Sequence, residues 1–184
     1  MSGTLRDVAF LFIVLFVAPS AYAQAANPPD QDQTPRPTAI EYSEGYQTRA
    51  KIHKYASFAT LPLIGTEAIL GQSLYDDPYS RTSAKRGAHI AVGTAITALF
   101  AVNTVTGLWN LRESRHDPHH RTLRLWHGIM MLGADAGFVA AYGTGPGGRN
   151  LINFDSQKQT HRAVVFTTMG VATASYLMML IGNR

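Results

Sequence analysis

The sequence predicts an all-α membrane protein, an up-and-down bundle of four transmembrane helices after an N-terminal signal segment. Three observations carry this reading. Hydrophobic residues make up 46% of the 184 and charged residues only 15%. The stretch Gly87 to Leu111 (GAHIAVGTAITALFAVNTVTGLWNL) holds no Asp, Glu, Lys or Arg, with Lys85 and Arg86 before it and Arg112 after it. It slightly exceeds the roughly 20 apolar residues with which an α-helix crosses a bilayer. Three further segments repeat the pattern, whereas a soluble bundle would place charge on an outer face every turn or so.

Residues 1–23 have the tripartite form of a signal peptide. Arg6 gives the positive start, Val8 to Ala18 (VAFLFIVLFVA) the apolar core, and Ala21-Tyr22-Ala23 an A-x-A cleavage site. Residues 24–47 open with QAANPPDQDQTPRPTAIEYS, rich in Pro, Gln and Asp and without periodicity, which reads as an extended polar tether. The domain proper is expected over 48–182. Span one, about Thr48 to Leu74, carries His53, Pro62 and one acid, Glu67. Span two is Gly87 to Leu111, with His89. Span three, about Thr122 to Tyr142, carries His127 and one acid, Asp135. Span four runs from about Gln159 to Ile181 with His161, and Ala163 to Asn183 is free of charge.

Short turn-rich connections follow each span: Asp76-Asp77-Pro78, His116-Asp117-Pro118, and Gly143 to Asn150 (GTGPGGRN). Such loops make consecutive helices antiparallel neighbours. Trp109 at the end of span two and Trp126 at the start of span three fall at one interface as belt residues. A cleaved signal places the mature N-terminus on the periplasmic side of a bacterial-type inner membrane. The loops this assigns to the outside are the richer in Lys and Arg, so the positive-inside rule points the other way. Absence of Cys excludes disulfides, Fe–S clusters and covalent haem attachment. A net charge of +4, gathered at helix ends, argues against nucleic acid as a partner.

The chemistry lies in four histidines. His53, His89, His127 and His161 each stand a few residues inside a different span, at separations of 36, 38 and 34 residues. Antiparallel order brings His53 and His127 near one membrane face and His89 and His161 near the other. Each pair spans two non-adjacent helices, the axial set for a six-coordinate b-type haem held without covalent attachment. Two haems b are therefore expected. Helical steps of four and three give Ser57, Thr60, Ile64, Glu67 and Gly71 from His53, and Gly93, Ile96, Phe100, Asn103 and Gly107 from His89. The same walk gives Met131, Ala134, Phe138 and Ala141 from His127, and Val165, Thr168, Ala172 and Ser175 from His161. These faces are mostly small, which suits a planar group and also ordinary helix packing in lipid. Cations crowd the helix starts, where the helix dipole disfavours them. Lys54, Arg86, Arg124 and Arg162 are thus candidates for haem propionates, with snorkelling to headgroups as the alternative.

Four histidines at matched depth on four consecutive spans resemble the cytochrome b-561 family, transmembrane electron carriers with two b haems in a four-helix core. The resemblance covers Thr48 to Ile181 and implies ligands paired first with third and second with fourth, here His53 with His127 and His89 with His161. It implies electron transport across the bilayer, a transmembrane oxidoreductase of the electron-transfer type with no catalytic residue in the usual sense. The chain departs from the longer eukaryotic members, which have helices flanking the core, and has no counterpart of their ascorbate-binding segment.

Beyond the histidines, Glu67 lies about 21 Å along the helix from His53, at the depth of the inner haem. It reads as a proton relay, a tuner of the haem potential, or a carboxyl bonded to a neighbouring helix. Asp135 reads similarly. The run His116 to His120 (HDPHH) is a metal-binding loop or a solvated turn. Expected partners are membrane lipid, a quinol or small reductant as electron donor, a periplasmic protein or metal ion as acceptor, and a second copy of the chain in a homodimer. Two other classes fit the same residues: a haem-free four-span scaffold or assembly factor, and a metal-dependent membrane protein using Glu67 and Asp135.

Overall fold

A computed structural model describes residues 40–76, 83–145 and 153–182. The signal segment, the tether up to residue 39 and most of the first and third connections lie outside the described residues. What is described is helical, with no strand. Helix α1 spans Glu44–Phe58, α2 Thr60–Asp76, α3 Ser83–Glu113, α4 Arg121–Thr144 and α5 Phe154–Gly182.

The first predicted span comes as two helices, and its start lies four residues before Thr48, inside the expected tether. Ser43 sets that start: its hydroxyl accepts from Tyr46 N–H at 3.0 Å, an N-cap. The break at Ala59 follows from Pro62, which has no N–H to offer the Phe58 carbonyl four residues back. At the gap Ala59 N–H closes a tighter three-residue turn to Ala56 O, and Leu63 N–H resumes the α-helical spacing to Ala59 O, both 3.1 Å. The second, third and fourth predicted spans are single helices that extend past their expected ends.

Helices α1 and α2 pack along α3, α3 packs on α4, α4 packs most extensively on α5, and α2 closes the ring against α5. The interior layer is Ile64, Ile96, Phe100, Ala134, Met169 and Ala172, with the Phe100 and Phe138 rings 4.7 Å apart. Buried among the described residues are as many polar side chains, including Asn103, Thr106 and Ser175, as apolar ones. The exterior carries Ile69, Val105, Val139 and Ile181, each more than half exposed. A soluble domain rarely shows such a surface, whereas lipid removes the pressure to bury apolar groups.

Helices Ala84–Glu113 and Phe154–Gly182 are long and apolar enough to cross a membrane. Only 22% of the most apolar stretch of each is buried, unlike the core helix of a soluble protein. Trp109 and Trp126 are both exposed on the outside of the bundle, at the α3–α4 end.

Candidate functional site

The four helical columns bring the predicted histidines together in the predicted pairs. The rings of His53 on α1 and His127 on α4 lie 6.1 Å apart at an interplanar angle of 85°. Those of His89 on α3 and His161 on α5 lie 6.3 Å apart at 86°. The pairs sit at opposite ends of the bundle. Along α3, His89 and Asn103, which touches His53, are separated by about 21 Å of helical rise. The Ile96, Phe100 and Phe138 layer lies between them.

Three of the four imidazoles are held through Nδ1. His53 Nδ1 meets the Asn103 carbonyl at 3.0 Å and Thr106 Oγ1 at 3.2 Å, while the Thr106 hydroxyl donates to Val102 O at 2.7 Å. His127 Nδ1 meets the Ser175 carbonyl at 3.3 Å and Ser175 Oγ at 2.9 Å. His161 Nδ1 meets the Ala141 carbonyl at 2.9 Å. A carbonyl can only accept, so in these three rings Nδ1 carries the proton and Nε2 keeps its lone pair.

The fourth ring is held differently. Glu67 Oε1 stands 2.9 Å from His89 Nδ1. The approach is off the line of the N–H, and Nδ1 has no well-aligned hydrogen bond, so the contact is an ion-pair approach and not a directed bond. Glu67 is only 7% exposed and its Oε2 is buried without a partner.

Two glycines of α3 make room. A Cβ at Gly107 would fall 3.1 Å from His53 Cε1, and one at Gly93 would fall 3.0 Å from Glu67 Oε1. Side chains from α1 and α2 thus reach across the α3 backbone where it carries no Cβ.

The cation assignments divide. Lys54 and Arg86 are exposed near the pairs. Arg162 donates from Nε to Gln72 Oε1 at 3.1 Å and lies 4.7 Å from the Tyr75 ring, tying α5 to α2. Arg124 is engaged with the loop before α4, donating to the carbonyls of Ser114, Asp117 and His119. It therefore organises that loop.

The His116–His120 segment is a turn built around Asp117. The carboxylate accepts from the Tyr42 hydroxyl and from His119 N–H at 2.9 Å, with Arg124 3.6 Å away. The Tyr42 bond, then the His119 N–H and the nearby Arg124 charge hold the Asp117 carboxyl below its usual range. Burial and the same bond keep the Tyr42 hydroxyl protonated well past its ordinary range. His120 opens α4 from the left-handed region at φ 50°.

Beside this turn, Arg49 donates to Asn110 Oδ1 at 2.9 Å and to Glu113, and lies 4.9 Å from the Trp109 ring. Together these contacts latch the start of α1 to the end of α3. Asp135, half-buried, accepts from the Thr104 hydroxyl and so joins α4 to α3.

Among the described residues no three His, Asp or Glu side chains gather as a metal cage. The sequence reading missed the Nδ1 anchors as such. Asn103, Ala141 and Ser175 were on the helical walks from the histidines, but a backbone carbonyl leaves no residue signature. Compared with known proteins, the chain matches no family model, no curated protein and no solved structure.

Proposed function

We propose that the chain is a membrane b-type cytochrome of four spans that binds two haems, one between His53 and His127 and one between His89 and His161, and carries electrons between the two faces. The observation that carries this reading is the pair geometry together with the Nδ1 contacts. In each pair the two rings stand close enough that both would hold one iron between them. The observed separations are 6.1 and 6.3 Å. Metal-bound histidines engage their other ring nitrogen with a carbonyl or carboxylate; His53, His127 and His161 do so with carbonyls, and Glu67 approaches the fourth, His89, off the N–H line.

Two imidazoles facing each other across a bundle suit an electrophile shared between them. A zinc cage needs three or four protein ligands and none is gathered among the described residues, whereas a haem would need only the two histidines of a pair. When bound, haem supplies the one-electron chemistry. The chain's residues do the rest. His53, His127, His89 and His161 would hold the iron; Gly107 and Gly93 leave space beside the first ring and beside Glu67; Ile96, Phe100 and Phe138 fill the middle of the bundle.

The four-span crossing rests on the two helices apolar enough to cross, on the lipid-suited exterior, and on the packing of the other columns at matched length. An inner-membrane location follows from the signal-like start of the sequence. The donor class is a quinol or small reductant, and the acceptor a periplasmic protein or metal ion. The test is a dithionite-reduced minus oxidised spectrum of the purified chain, with haem counted by pyridine haemochrome. Sharp α and Soret bands at about two haems per chain are expected. A chain that stays colourless after haem supplementation would leave the scaffold or metal-dependent readings in its place.

A further inference from the structure

Three of the four histidine anchors are neutral backbone carbonyls; the fourth is a carboxylate. Glu67 is buried to 7% exposure, its Oε1 is 2.9 Å from His89 Nδ1, and its Oε2 is buried with no donor to spread its charge. The pocket for this group is specific. Residue 93 on the facing helix is Gly, and a Cβ there would stand 3.0 Å from Oε1, so the glycine lets the carboxylate lie this close to α3. At the other end of the bundle the equivalent positions beside His53 and His127 hold Thr106 and Ser175, whose hydroxyls carry no charge.

The consequence concerns which end holds an electron more tightly. If Nε2 of His89 ligates iron, Nδ1 carries the proton, and the charge nearest to it is Glu67 Oε1, 2.9 Å away and off the N–H line. A carboxylate in that place makes the imidazole a stronger donor, which favours the more positive ferric state. Its charge acts in the same direction through a low-dielectric interior, even though the contact is off the N–H line. His161, the other ligand at this end, has only the Ala141 carbonyl, as the ligands at the opposite end have carbonyls and hydroxyls. The carboxylate is thus the one charged difference among the groups that touch the four rings.

We propose that Glu67, acting through His89, makes the His89–His161 iron the lower-potential one of the two, so that this end gives up an electron to the His53–His127 end. Glu67 is a positioning residue in this account, and the proposal rests on the two-haem reading above. The order fixes a direction: an electron entering at the His89–His161 end runs downhill toward the end latched by Tyr42, Arg49 and Asp117.

The experiment is an optical redox titration of the haem-loaded protein, comparing wild type with Glu67→Gln and Gly93→Ala. The first removes the charge at nearly constant size; the second keeps it but shifts Oε1 by a few tenths of an ångström. Expected are two haems in each variant, with the lower midpoint moved to more positive potential, more in Glu67→Gln than in Gly93→Ala, and the upper midpoint unmoved. Two bound haems with both midpoints unchanged in Glu67→Gln, or a shift in the upper one instead, would overturn the proposal. Should Glu67→Gln lose a haem, the Gly93→Ala midpoints decide by the same criterion. A wild-type chain that binds no haem would overturn the two-haem reading itself, and this inference with it.

Discussion

The two histidine pairs share one ring geometry but stand in different surroundings. At the His53–His127 end, neutral carbonyls and hydroxyls hold the rings, and a network of Tyr42, Arg49, Asn110, Glu113, Asp117 and Arg124 locks α1, α3 and the loop before α4 together. At the His89–His161 end, a buried carboxylate faces one ring, and Arg162 and Lys158 close over Tyr75 between α2 and α5. The pairs have in common two rings about 6 Å apart and nearly perpendicular across the bundle; each end adds its own surroundings. The first end is tied together by polar contacts between helices and loop; the second is set apart by its buried carboxylate.

The largest effect that can break this comparison is removal of a ligand. His53→Ala and His89→Ala are each expected to lower haem from about two per chain to about one, read by pyridine haemochrome. The surviving haem should differ between the two variants in midpoint potential. Identical residual spectra and potentials would mean that the ends are not distinct.

Packing gives the next largest effect. A Cβ at Gly137 would overlap the Thr168 side chain, a β-branched group with little freedom to move, so α4 and α5 would have to part. Gly137→Ala is expected to cost about 1–3 kcal/mol, seen as a lower Tm in detergent. Gly133, one turn away, has nothing within 4 Å of the same added atom. Gly133→Ala should leave stability unchanged or raise it by up to about 1 kcal/mol through helix propensity. Equal losses at both positions would contradict the α4–α5 contact described.

The smallest expected effect lies in the polar latch. Asp117 has its carboxyl pKa depressed in the folded chain. Its contribution to stability is therefore present above the unfolded carboxylate range and lost as pH falls through the lower folded value. Below about pH 4 the latch should loosen, with faster amide exchange over residues 44–50 and no change around Glu67. Asp117→Asn should bring part of that exchange increase to neutral pH. A flat response from neutral pH down to strong acid would remove the latch from the account.

The pairing of the histidines was legible from spacing alone, because one helix plus one short loop returns a residue to the same depth on an antiparallel neighbour. The interior was legible too: Ile64, Glu67, Ile96, Phe100, Asn103, Ala134, Thr168, Ala172 and Ser175 all lie on the helical walks from the histidines and are all buried. The break at Ala59 was signalled by Pro62 but not read as a division into two helices. The latch was not legible, since Tyr42 and Asp117 are 75 residues apart and both fall in segments that look like plain linker and turn. Nor did the cations reveal their roles by position. Arg124 stands at a helix start as a propionate partner would, yet it binds the carbonyls of its own loop. Charge at a helix end is a local signal, and its partner is set by tertiary structure.

Pairing across the bundle is the central claim, and double substitutions measure it directly. With His53→Ala and His127→Ala together, both changes fall on one site, and about one haem per chain should remain. With His53→Ala and His89→Ala together, each change falls on a different site, and none should remain. Haem counts of about one and about zero are the result expected. Equal counts in the two doubles, with both proteins still folded in the membrane, would contradict the pairing.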